Sequence, residues 1–506
     1  MLQRYYSTLL SDLHSLWDEF SRDFHRDDLL WITVVTLVGL GYRLFDILNP
    51  ITYDEAYTYI SFVRYSLWQT VSDYHLPNNH ILLSVILNIW TRVFGAQRGA
   101  LRTPTLLVGL LLISAVYLLA KRLYSTQTAF LASLLVAVFP TLIHFSVVAR
   151  GYIFVATFTI LLFILGDYVI DHKNRLAWTF ISLLSALGFF AVPTMLFPFS
   201  ALYIWLLLSW VWRDTGSEYR SRGEFIVYCV ISGLFAAGGT ILLYAPILIR
   251  TPEALLYNRF VAPLPWDIFP ERMLGKALNT WYEWTSGFPA WLSYLGLASI
   301  VVSWLFHKSF SRRKIALQWA FLVGILLIVL LRRPNAWPRV WSFLVAPGLL
   351  WASAGFVEPV RKISSLTQTR YSPGLVLNSL AFGAAIVGLL HTLPSLPAHW
   401  QHRTNLEAIA TQIGPLIENG DTLVLSPKYT PQLLYYLDME EAPTVQVRDV
   451  THAQKAFIIV FPKDGETLDK VVSRYIPSSY RSLILNSATL IDREGPIEVY
   501  LSSLEK

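Results

Sequence analysis

His80-Ile-Leu-Leu-Ser-Val-Ile-Leu-Asn88-Ile-Trp-Thr-Arg92-Val-Phe-Gly95 is the stretch on which the fold turns. It is apolar but short, and Asn88 and Arg92 interrupt it, whereas a membrane-crossing helix needs about 20 mainly apolar residues. Loop charge decides between a span and an interfacial helix, because cytoplasmic loops carry the excess of Lys and Arg. With 80–95 at the interface, Lys121-Arg122, Lys173/Arg175, Arg213/Arg220/Arg222, Lys308/Arg312/Arg313/Lys314 and Arg361/Lys362/Arg370 all fall on the cytoplasmic side. With 80–95 as a span, every one of them flips outward. The interfacial reading therefore holds. It leaves about eleven spans, near 29–48, 103–120, 127–148, 151–170, 176–192, 195–212, 224–249, 288–306, 315–331, 339–356 and 374–394.

Composition agrees. Of 506 residues 54% are hydrophobic and 15% charged, where a soluble chain carries charge at about a quarter of its positions. Disorder, coiled coil and collagen are excluded by the low charge and the absence of a short period. The single cysteine, Cys229, lies inside an apolar run, so no intramolecular disulfide can form. The net charge of +6 is partitioned: from Ala398 onward 10 Lys and Arg face 14 Asp and Glu, and the preceding residues hold 30 against 20. The basic excess sits in loops between spans. It marks orientation in a membrane and argues against nucleic acid as a partner.

Three domains are expected. Residues 1–28 place Leu9, Leu13, Leu16, Phe20 and Phe24 at helical spacing, as in an amphipathic helix on the cytoplasmic membrane surface. They lack the features of a signal peptide. Residues 29–397 form an all-α polytopic body whose first outer loop covers 49–102. Residues 398–506 read as a small extracytoplasmic α/β domain, with helical patterns near 403–418, 430–438 and 466–475 and strand-like runs TLVLS, AFIIVF and IEVYL. No glycine-rich phosphate loop follows any of its strands.

Two stretches of the first outer loop carry candidate chemistry. In Ile51-Thr-Tyr-Asp54-Glu55-Ala56-Tyr57 an acidic pair opens a helix, where negative charge is favoured. Asp54 is either that helix's cap or a general base or metal ligand at the membrane surface. In Asp73-Tyr-His75-Leu-Pro77-Asn78-Asn79-His80 two histidines and two asparagines crowd a turn-forming segment. His75, Asn79 and His80 are candidates for contact with a polar substrate, and the His75/His80 spacing is not a recognised metal-ligand pattern.

The order of these motifs resembles one family. Asp54-Glu55-Ala56-Tyr57 is followed by Asn79-His80 opening an apolar helix, Phe94-Gly95, Ala100-Leu101-Arg102-x-Pro104 and Tyr117-Leu-Leu-Ala-Lys-Arg122-Leu. Then come Ala149-Arg150-Gly151-Tyr152, Val192-Pro-Thr-Met-Leu-Phe-Pro198 and a late Arg339-Val-Trp-Ser-Phe-Leu-Val-Ala-Pro347. The series resembles the GT-C polyprenyl-phosphate-sugar glycosyltransferases related to protein O-mannosyltransferases. The resemblance implies a GT-C fold with a lipid-linked sugar donor, Asp54 as catalytic base and Glu55 as its neighbour. It implies a bacterial or archaeal plasma membrane as the location, and an acceptor hydroxyl on a protein, glycolipid or polysaccharide.

The chemistry suits the residues. The leaving polyprenyl phosphate gains negative charge, which guanidinium groups stabilise bidentately. Arg150, Arg332, Arg333 and Arg339 sit at outer ends of spans, where the alternative is snorkelling to lipid headgroups, and Arg150, beside Tyr152, and Arg339 lie within family-like motifs. An ionised Asp54 would take the acceptor's proton during attack from the opposite face, giving inversion. It could instead hold a divalent cation bridging to phosphate. Some relatives carry a further carboxylate where this chain reads Arg150-Gly151-Tyr152, which puts metal dependence in doubt. The Trp-rich loop 266–291 fits either sugar stacking or an aromatic belt at the interface. A transporter or flippase would call for inverted repeats and charges at mid-membrane, and a non-catalytic envelope-assembly scaffold would make Asp54 dispensable.

Overall fold

The computed structural model describes residues 2–256, 262–367 and 405–504. The chain divides into two compact units. One comprises Met1–Ile47, Leu67–Leu87 and Arg102–Leu396, the other Leu48–Ser66, Asn88–Leu101 and Pro397–Lys506.

The first unit is helical, with helices wherever the described apolar runs led one to expect a span. Six are long and apolar enough to cross a membrane: Arg26–Asp46, Arg98–Leu123, Tyr152–Asp171, Pro193–Val211, Arg222–Arg250 and Pro338–Ile363. Two broken pairs, Thr126–Val138 with Pro140–Val147 and Phe269–Thr285 with Ala290–Leu305, bend by 57° and 114° and raise the number to eight if each is one span. The chain is thus a multi-pass membrane protein with six to eight candidate spans among the described residues. Arg175–Ala191 and Leu317–Arg332, at 17 and 16 residues, fall at or below the ~17-residue lower limit for crossing. The expected span 374–394 lies outside the described residues. Ile81–Phe94 is a helix of 14 residues, too short to cross.

The basic loops meet at one end of this unit. Asp167, fully buried on Tyr152–Asp171, accepts hydrogen bonds from Arg122 Nε at 2.7 Å and Arg313 Nε at 2.5 Å. Arg313 also forks onto Asp171 at 2.8 Å through each terminal nitrogen, and Arg312 pairs with Asp171. The N-terminal helix Leu2–Arg22 joins the network: Glu19 lies 3.3 Å and Asp23, just beyond the helix, 2.5 Å from Arg122, while the Asn174 amide donates to Asp12 O. Leu16 is buried there, whereas Leu9, Leu10, Leu13 and Trp17 remain exposed.

The second unit contains a five-stranded sheet ordered β2-β1-β3-β5-β4, with β1 Thr422–Val424, β2 Gln446–Val447, β3 Lys455–Val460, β4 Thr489–Glu494 and β5 Ile497–Ser503. β1 runs parallel to β2 and β3, and β5 pairs antiparallel with β3 and β4. Val424, Ala456, Ile458 and Val460 pack with Val471, Val472, Ile476 and Ile484 to form its core. The three strand-like runs of the sequence become β1, β3 and β5. Strands β2 and β4 and the helix Ser478–Ser487 were not anticipated, because two residues are too few to show a pattern and β4 exposes Thr489, Leu490 and Ile491 in succession.

Candidate active site

The acidic pair lies on the short helix Tyr53–Thr58 of the second unit. The sequence left Asp54 as either its cap or a base, and the cap is Thr52. The Thr52 hydroxyl accepts Glu55 N–H at 3.3 Å and Glu55 Oε2 accepts Thr52 N–H at 2.9 Å, a reciprocal capping box. Glu55 is buried in that role, while Asp54 is half-buried in the same first turn. Burial and the Asp54 charge raise the Tyr53 phenol above its usual range.

Residues of the C-terminal region, which the sequence did not single out, support this helix. Tyr436 OH accepts Ile51 N–H at 3.2 Å and the Gln432 amide donates to Ile51 O at 3.2 Å. Beyond Thr58 the chain widens into a π-turn, Tyr59–Val63, where Tyr59 donates its hydroxyl proton to Asp438 at 2.7 Å. Burial and that carboxylate push the Tyr59 phenol well up, so it stays protonated.

The remaining candidates lie in the first unit, and three of them form one cluster. His80 Nδ1 accepts Gly151 N–H at 2.7 Å, which places the proton of a neutral ring on Nε2. Arg150 Nη2 is 3.2 Å from that Nε2, and Arg150 Nη1 donates to Asn78 O at 2.9 Å. Tyr152 closes the side: its ring meets His80 edge-on at 4.8 Å, and the Arg150 guanidinium stands 6.0 Å over it. His80 and Arg150 are 3% and 4% exposed. Burial first, then the charges of Arg150 and Arg339, hold His80 well below its ordinary pKa. Arg339, on the turn Pro338–Leu344, is exposed yet near enough to act on His80. The His80 N–H and a guanidinium N–H cannot satisfy each other. Their convergence suits an oxyanion placed against both.

The other candidates do different work. Asn79 is buried and spends its amide on Thr70 O and Asp73 O, at 3.1 and 2.8 Å, while its oxygen accepts from Ser84. His75 is exposed and pairs with Asp73 at 2.6 Å. Arg333 stacks over Trp266 at 4.9 Å. Among the described residues no group of three or more His, Cys, Asp or Glu side chains gathers that could hold a metal ion. The side chains around His80 are donors and cations, a set that does not fit a divalent cation.

Residues 78–246 match the family model described as dolichyl-phosphate-mannose-protein mannosyltransferase. Family model and fold together bear out the resemblance read from the sequence, to the GT-C membrane glycosyltransferases that use polyprenyl phosphates. The chain is similar to ArnT from Cupriavidus metallidurans in the apo state, with a TM-score of 0.57 and 14% identity over 94% of this chain and 97% of ArnT. It is equally similar to the same protein bound to undecaprenyl phosphate, with a TM-score of 0.58 and 13% identity over 94% and 98%. At such identities the likeness is one of fold. No curated protein matches the sequence at a significant level. The span 78–246 includes Asn79, His80, Arg150 and Tyr152.

Proposed function

We propose that the protein transfers a sugar from a polyprenyl-phosphate donor to an acceptor hydroxyl on the extracytoplasmic face of a cell membrane, with inversion. The observation that carries this reading is the meeting of the His80 Nε2–H with the Arg150 guanidinium, under the charge of Arg339. Such a set stabilises a phosphate that gains negative charge as the sugar leaves. The bond from C1 to the phosphate oxygen breaks, and the electron pair stays on the phosphate. The acceptor oxygen bonds to C1 from the opposite face and its proton passes to the Asp54 carboxylate. Glu55, through its capping box with Thr52, fixes the first turn that carries Asp54. No step runs through a metal.

The reading is tested with purified protein and undecaprenyl-phosphate-linked sugars, scoring loss of donor. Asp54→Asn is expected to lower turnover by roughly 10²–10⁴-fold, the usual contribution of a general base, while still binding donor. Wild-type turnover in a folded Asp54→Asn protein refutes the assignment.

A further inference from the structure

The second unit holds a cavity of about 330 Å³ immediately past the acidic helix, bounded by Tyr59, Arg64, Thr91, Arg92, Asp438 and Glu441 among others. We propose that it binds a saccharide ring of the acceptor, so that the acceptor is a glycolipid or polysaccharide. This rests on the transferase reading and deepens it.

Position is the first argument. Tyr59 lies five residues beyond Asp54, about 7 Å of helical rise. The cavity thus adjoins the helical segment that carries Asp54.

The lining is the second. Two guanidiniums face two carboxylates, so the wall is polar without net charge. A phosphate would call for surplus cations and a lipid chain for apolar walls. An extended peptide is commonly gripped along a sheet edge, and this cavity is walled by side chains of the π-turn, Ile81–Phe94 and Thr430–Met439. Sugar hydroxyls each donate and accept, which is what a mixed wall satisfies. The volume is at the low end for small-molecule pockets, room for about one or two sugar rings.

Asp438 shows how such a hydroxyl would seat. Its Oδ2 accepts from Tyr59 at 2.7 Å, but Oδ1 stands 3.6 Å from Arg64 Nη1, too far for a hydrogen bond. A ligand hydroxyl can donate to Oδ1 and accept from Arg64. Glu441 adds a second acceptor from a costly backbone position. It adopts φ +56° where Thr430–Met439 ends, a place that ordinarily takes glycine. Left-handed φ is disfavoured for a residue with a side chain.

The experiment uses the full-length protein in nanodiscs on a glycan microarray of mono- to tetrasaccharides, beside Ser/Thr-containing peptides. At least one saccharide class is expected to be retained, and Arg64→Ala and Asp438→Asn should each weaken it by about 10-fold or more. Asp438 also anchors Tyr59, so Gln97→Trp, at an exposed rim position, provides a variant that fills the cavity and leaves that pair in place. Wild-type-like glycan binding by Arg64→Ala and Gln97→Trp overturns the proposal. So does retention of a peptide with no glycan. Binding of undecaprenyl phosphate is read on the same samples: its absence in wild type counts against the transferase reading, whereas intact donor binding without glycan binding overturns the cavity's role alone.

Discussion

His80→Ala is expected to weaken binding of a polyprenyl-phosphate sugar by roughly 10–100-fold. The magnitude follows from geometry. Gly151 N–H occupies Nδ1, so Nε2–H is a neutral donor held beside Arg150. A hydrogen bond to a charged acceptor contributes about 1.5–3 kcal/mol, and each 1.4 kcal/mol is about tenfold in Kd. His80→Gln, which keeps an N–H donor on a side chain of similar reach, should recover part of the loss. A sugar phosphodiester has no second ionisation, so the ligand adds no titration of its own between pH 5.5 and 8. Burial and the two arginines hold His80 neutral far below 6.5, and affinity should be flat across that window. A titrating His80 would instead gain positive charge as pH falls and tighten anion binding. Stability carries the opposite signature: the unfolded chain protonates this histidine below about pH 6.5 and the native one does not. The native state therefore loses stability as pH drops below that value, and His80→Gln should remove this component. Radiolabelled donor bound to protein in nanodiscs gives the affinity. Binding by His80→Ala within twofold of wild type, or affinity that climbs steeply on acidification, refutes the assignment of His80 as a neutral phosphate donor.

Asp167→Asn should lower the thermal midpoint in detergent by roughly 2–4 °C. Three guanidiniums, Arg122, Arg312 and Arg313, are met there by Glu19, Asp23, Asp167 and Asp171. Removing one carboxylate leaves charge in balance, so the cost is near 2–3 kcal/mol, below that of an orphaned buried ion, and a shift under about 0.5 °C would show the network to be ornamental. Thr52→Ala should cost about 1 kcal/mol as a lost cap, read as increased amide exchange over residues 53–58. Glu55→Gln keeps an oxygen for Thr52 N–H and should retain more than about a tenth of turnover, so a loss near that of Asp54→Asn would place Glu55 in the chemistry.

The membrane body was legible in the sequence because its spans are long apolar runs, and each described run became a helix. Their number was not. Arg175–Ala191 and Leu317–Arg332 are short, and Thr126–Val147 breaks at Pro140, so composition sees one run where the backbone makes two helices. The motif Arg150-Gly151-Tyr152 and Asn79-His80 were both noticed, but their junction through Gly151 N–H and His80 Nδ1 spans 71 residues and leaves no local trace. The cap stayed open for a local reason: Asp and Thr are both good caps, and only the backbone shows that Thr52 comes first. Asp438, Tyr435 and Tyr436 escaped notice because they lie more than 370 residues from the helix they support.

The buried arginine network also orders the events of insertion. Glu19 and Asp23 are synthesised before Arg122, so that cation meets anions as soon as its own helix is made. Asp167 follows 45 residues later and finds Arg122 waiting. Arg313, its second partner, arrives a further 146 residues on, after at least three more apolar helices have left the ribosome. Until then Asp171 lacks both arginines that it pairs with in the finished protein. Closure of the body is thus a late step, set by the arrival of the loop at Arg312 and Arg313. Substitutions there should show first as failed assembly of an already inserted chain.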